Sequence, residues 1–157
     1  MHFPIICLTH SDDPEKFASY QEIEEDGIIQ ANTDYVGKKY SKEDRRRLII
    51  ESDYLKNVFR GIATINPEEE TLTFLPDEQI RETLHNEYKY ILELLQERLD
   101  SGRFCGWDLR DAGNIFRGCE YLFYVEDCGL TSMRLVENAI YYTNKTFYFG
   151  NVYDAHF

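Results

Sequence analysis

Residues 77–99 read DEQIRETLHNEYKYILELLQERL. Within that stretch Ile80, Leu84, Tyr88, Ile91, Leu95 and Leu99 recur at steps of four or three. That spacing predicts a long amphipathic helix with one apolar stripe. Pro76-Asp77-Glu78 places acids at the first turn, where the helix dipole favours them, and Gly102 lies just past the end. The stripe is expected to pack on a sheet, burying Leu84, Ile91 and Leu95.

The segments on either side supply that sheet. Just before the helix, Gly61–Ile65 and Thr71–Leu75 predict a hairpin joined by Asn66-Pro67-Glu68-Glu69-Glu70, a connection of turn formers and mutually repelling charge. Phe3–Thr9 predicts a first strand, and Pro14 begins a short helix through Tyr20 with Asp12 or Asp13 as its cap. Gly27–Ala31 is read as a short strand. Ser41 is expected to cap a helix over Lys42–Phe59, with Leu48, Tyr54, Leu55, Val58 and Phe59 along one face.

Beyond Gly102, Cys119–Val125 predicts a strand and Gly129 a turn. Thr131 or Ser132 caps a helix to Ile140, and Thr146–Tyr153, aromatic on both faces, forms a last strand inside the sheet. Strand and helix do not alternate, which points to an α+β fold. The expectation is a mainly antiparallel sheet of about five or six strands against one long helix and two or three shorter ones. No linker or repeat divides the chain, so residues 1–157 are read as one globular domain.

Composition narrows the partners. The chain holds 29 acidic and 17 basic residues, a net charge of −12, together with 12 Tyr, 10 Phe and 1 Trp. A solvating acidic tail lacks such rings, so a folded domain with an anionic exterior is expected. Nucleic acid and anionic membrane are repelled, whereas a basic protein surface is attracted. No apolar run nears the roughly 20 residues of a membrane span, and the first residues lack a secretory signal, so a cytoplasmic protein is expected. Cys7, Cys105, Cys119 and Cys128 form no Cys-x-x-Cys pair, which argues for reduced thiols and against structural zinc.

The favoured reading is a non-enzymatic binding module, of inhibitor or immunity type, that covers the basic surface of a partner such as a nucleic-acid-acting protein. Its contacts would be the acidic clusters Glu22, Glu24, Glu25, Asp26 and Glu68, Glu69, Glu70, with Tyr and Phe anchors. No cofactor and no metal are expected. The alternative is a small cysteine-dependent enzyme: Cys128 at a strand-to-helix turn as thiolate, His156 as base and Asp154 beside it. A second alternative is a structural subunit whose aromatic last strand augments another sheet.

Other candidates have simpler readings. His10-Ser11-Asp12-Asp13 could hold a hard cation, yet is ordinary helix-start chemistry. His85, between Arg81 and Lys89, belongs to a solvated row. Asn144-Lys145-Thr146 matches a glycosylation sequon without an export signal beside it. Lys38–Arg47 carries six cations and two acids, and is expected to pair internally with the acidic stretch before it or to form a solvated first helical turn.

Overall fold

The computed structural model describes residues 2–51, 53–106, 122–126, 129–131 and 139–156. The fold is α+β. Six strands follow the hydrogen-bonded order β3-β4-β7-β1-β5-β6, and β2 also pairs with β7. These are β1 (His2–Thr9), β2 (Tyr35–Lys39), β3 (Ala63–Asn66), β4 (Thr71–Phe74), β5 (Leu122–Val125), β6 (Gly129–Thr131) and β7 (Thr146–His156). Every described pairing is antiparallel except β1 with β5. The helices are α1 (Tyr20–Glu25), α2 (Gly27–Asn32), α3 (Lys42–Arg46), α4 (Asp53–Val58) and α5 (Asp77–Asp100). No helix among the described residues is long and apolar enough to cross a membrane.

β1 shows why both faces of the sheet are covered. Its side chains alternate, and Ile5, Ile6, Cys7 and Leu8 are all fully buried. Ile6 and Leu8 join a core with Leu55, Phe59, Leu72, Phe74, Ile80, Leu84 and Phe147. Ile5 and Cys7 join a second core on the opposite face with Ile23, Ile29, Val36 and Tyr153. Phe59 and Phe74 meet edge-on at 6.1 Å between ring centres, and Phe59 and Phe123 at 5.6 Å, geometries that aromatic quadrupoles favour.

Helix α5 and the β3–β4 hairpin form where the sequence places them. Ile80, Leu84 and Ile91 are buried, whereas Leu95 is half-buried and Leu99 is 57% exposed. The cover over the stripe therefore ends at Ile91, and the stripe opens to solvent towards Leu99.

Several short elements depart from expectation. Gly27–Asn32 is helix α2, not a strand, because Asp26 Oδ1 accepts the Ile29 amide at 3.0 Å and so caps it. Only Pro14–Lys16 forms a 3-10 turn after Pro14; the helix begins at Tyr20 behind a Ser19–Glu22 capping box. The span expected as one helix from Lys42 is α3, a π-helical turn over Arg47–Glu51, and α4. Residues 129–131 are strand β6, paired with β5, where a turn and helix cap were expected. The last strand continues past Tyr153 to His156, because β1 and β2 flank its final residues.

One irregularity in β7 organises the sheet. Ile6 pairs with Val152 but Leu8 with Phe149, so Gly150 and Asn151 stand opposite Cys7 in a bulge. Only glycine fits there: a Cβ on Gly150 would lie 2.8 Å from the Pro14 carbonyl oxygen and 3.2 Å from Cys7 Cβ. On its other edge β7 pairs with β4 over Thr146–Tyr148 and with β2 near Tyr153–His156. Between them the carbonyls of Phe149 and Gly150 accept from the Arg45 guanidinium, Nη2 and Nε respectively, and Nη1 reaches Glu70. The Phe149 amide donates to the Glu70 carbonyl, and the Tyr40 amide to that of Val152. A side chain thus closes the seam left by two strands that share one edge.

Candidate functional site

The acidic cluster before β2 divides into two roles. Glu22 completes the capping box, its carboxylate accepting the Ser19 amide at 2.7 Å. That hydrogen bond holds the Glu22 carboxyl below its ordinary range. Asp26 caps α2. Glu24 lies 3.2 Å from Tyr20 Oη, and Glu25 accepts from Gln21 Nε2 at 2.8 Å. Among the described residues no lysine or arginine forms an ion pair with Glu22, Glu24 or Glu25.

Glu24 and Asp34 line one cleft of about 230 Å³, together with Gln30, Thr33, Tyr35 and Val36. The Tyr20 hydroxyl donates to the Val36 carbonyl at 2.8 Å, fixing α1 against β2 and setting one wall. Burial, and then the neighbouring Glu24 carboxylate, push the pKa of that phenol above its ordinary value, so it stays neutral. Tyr35 is 53% exposed and stacks flat on His156 at 4.9 Å. Carboxylates beside an exposed ring form a receptor for an organic cation.

The hairpin cluster behaves differently. Glu68 and Glu69 project from an Asx turn in which Asn66 Oδ1 accepts both of their amides. Glu70 has φ +50° and its side chain is 28% exposed, paired with Arg45 and Arg46. Its carboxylate is engaged inside the molecule. The basic run has the same destination: Arg45 and Arg46 pair with Glu70, Arg47 with Glu43, and Lys42 with Glu15. Internal pairing is therefore present: Lys42 reaches Glu15 in the acidic stretch before the run, and Arg45 and Arg46 reach Glu70 beyond it.

Asp154 and His156 are held well inside the sheet. Asp154 Oδ2 lies 2.8 Å from His2 Nδ1, and His156 Nδ1 lies 3.6 Å from Asp34 Oδ2. The two imidazoles meet edge-on at 4.9 Å. Cys128 lies outside the described residues. Its described neighbours Glu126 and Gly129 sit at the far end of β1, where Glu126 binds the Thr9 hydroxyl and the His10 amide, whereas His156 pairs with His2. Seven residues of strand, about 23 Å, separate His2 from Thr9.

Of the other thiols, burial pushes Cys7 up to about 12, leaving it protonated and unreactive, and Cys105 is exposed. His10 packs on Phe147 at 4.3 Å with Nδ1 at 3.1 Å from the Thr146 carbonyl, Ser11 and Asp13 form a local turn, and Lys16 pairs with Asp13. No group of three or more potential metal ligands occurs among the described residues. His85 is exposed on α5, and Asn144 occupies an exposed turn at φ +59°.

Sequence reasoning missed Asp34 and Tyr35, because the pattern gave no strand at Tyr35–Lys39. The signal available was the Tyr-Val pair bounded by Asn-Thr-Asp and Gly. No protein-family model, no curated protein and no solved structure matches this chain.

Proposed function

We propose that this protein is an acidic, non-enzymatic binding module that works in the cytoplasm by covering a basic surface of a protein partner. The carrying observation is the cleft in which Glu24 and Asp34 face the same space beside Tyr35. Glu22, Glu25 and Asp26 add negative charge on the same segment as Glu24, and the partly exposed Tyr20 and Tyr35 supply aromatic contact area. A lysine or arginine entering the cleft meets two carboxylates and a ring face. The basic face of a nucleic-acid-acting protein has the required chemistry, which gives the module an inhibitor or immunity role. Glu68 and Glu69 extend the acidic surface elsewhere; Glu70 serves the fold.

Affinity capture from the native host, run in parallel with wild-type protein and the Glu24→Gln/Asp34→Asn variant, tests this. The expected partner is retained by the wild type and depleted on the variant. With that partner purified, the association rate should fall as salt rises, since exposed charges are screened over about 8–10 Å. A partner that binds both proteins equally fast and without regard to salt would reduce the charge to a solubility feature and overturn the reading.

A further inference from the structure

On the other side of Tyr35 a wider groove of about 620 Å³ runs between β2 and the start of α3. Its lining brings together Tyr35, Lys38, Lys39, Tyr40 and Asp154. The other four cations of the Lys38–Arg47 run are paired with carboxylates, as described above. No carboxylate among the described residues lies in ion-pair range of Lys38 or Lys39. Asp44, also on the lining, is engaged by Ser41, whose hydroxyl donates to it at 2.7 Å. Lys38 and Lys39 thus stand without an ion-pair partner on a groove that the carboxylates of Asp44 and Asp154 also line.

Two further observations point to a ligand. Asp154 Oδ1 is sealed from solvent and accepts no hydrogen bond, although its sister oxygen is held by His2. A buried carboxylate oxygen without a donor is costly. Gly37 keeps the floor open: a Cβ there would press within 3.3 Å of Asp154. Tyr35 and Tyr40 add ring surface at the same place, and a volume of this size lies within the range of about 300–1,000 Å³ typical of small-molecule sites.

We propose that this groove binds a small phosphorylated aromatic ligand of nucleoside-monophosphate size. Lys38 and Lys39 hold its phosphate, Tyr35 and Tyr40 contact its ring, and a ligand N–H or O–H donates to Asp154. The groove meets the acidic cleft at Tyr35, which lines both, but its lysines and Asp154 are separate from Glu24 and Asp34, so each reading can fail without the other.

Calorimetric titration of the whole protein with AMP, GMP, CMP, UMP, adenosine and inorganic phosphate tests this. At least one monophosphate should bind tenfold or more tightly than adenosine and than phosphate. The Lys38→Gln/Lys39→Gln double variant should lose tenfold or more of that affinity with an unchanged melting temperature, since both side chains are exposed. Asp154→Asn should weaken nucleotide binding while leaving phosphate binding as it was. Absence of binding by all four monophosphates at millimolar concentration overturns the proposal. Equal binding of phosphate and nucleotide would make the groove an anion site alone and also overturn it, as would wild-type affinity in the lysine variant.

Discussion

Replacing Arg45 by methionine keeps most of the side chain's length and removes the guanidinium. The Nε donor to Gly150, at 2.6 Å, is lost with the donors to Phe149 and Glu70. The Arg45 side chain is 13% exposed, so water replaces these donors only in part. A hydrogen bond to a charged group contributes about 1.5–3 kcal/mol net, so the two carbonyl bonds are worth about 3 kcal/mol at the low end. Losing the partly exposed pair with Glu70 adds about 0.5 kcal/mol after screening. The combined loss of about 3–4 kcal/mol lowers the melting temperature of a chain this long by about 6–16 °C. Circular dichroism during heating, with urea unfolding alongside, reads the effect. Arg45→Lys should recover only part of it, because one ammonium cannot reproduce a planar fork across two carbonyls. Glu70→Gln, which leaves both carbonyl bonds intact, should cost about 1 kcal/mol or less. A melting temperature for Arg45→Met within about 2 °C of wild type would refute the seam-closing role.

Two further perturbations separate other claims. Leu84→Ala should cost about 2–5 kcal/mol in urea unfolding and Ile91→Ala a similar amount, whereas Leu99→Ala, on the exposed end of the stripe, should stay within about 0.5 kcal/mol; a Leu99 effect equal to that of Leu84 would show the whole stripe to be covered. Because the folded-state pKa of Glu22 is lowered, the stabilisation it gives is complete above the unfolded-state value and is lost as pH falls through the folded one. The stability gap between wild type and Glu22→Gln should therefore shrink between about pH 6 and pH 3, and a gap that widens on acidification would contradict the capping box.

What the sequence made legible was whatever carried a periodic signal over its own length. The α5 stripe, the apolar run of β1, the hairpin turn at Asn66–Glu70 and the aromatic β7 each announce themselves locally. Of the elements it hid, one is fixed by a partner far away and one by a local cap. Tyr35–Lys39 carries two lysines and a glycine, a poor strand by composition, and is extended because β7 offers its edge there. Gly27–Asn32 contains two isoleucines that resemble a strand, yet the Asp26 cap makes it helical. The candidate site follows the same division. Glu22, Glu24, Glu25 and Asp26 were visible as charge, but which of them cap helices and which face a cleft depends on Asp34 and Tyr35 arriving from β2. Glu70 looked like surface charge because Arg45, 25 positions earlier, is its partner only through the fold.

The pairing of β1 with β7 reaches from His2 to His156, nearly the whole length of the described chain, and it sits at the middle of the sheet. During synthesis β7 is the last of the described strands to leave the ribosome. Until it does, Ile5, Ile6, Cys7 and Leu8 lack the strand that flanks them on one side in the native sheet, and β2 and β4 lack the edge on which both dock. Closing so distant a contact is entropically slow and leaves apolar strand surface open to other nascent chains. The central strand pair therefore forms only after the rest of the described sheet is available, and its closure is a slow, long-range step of folding.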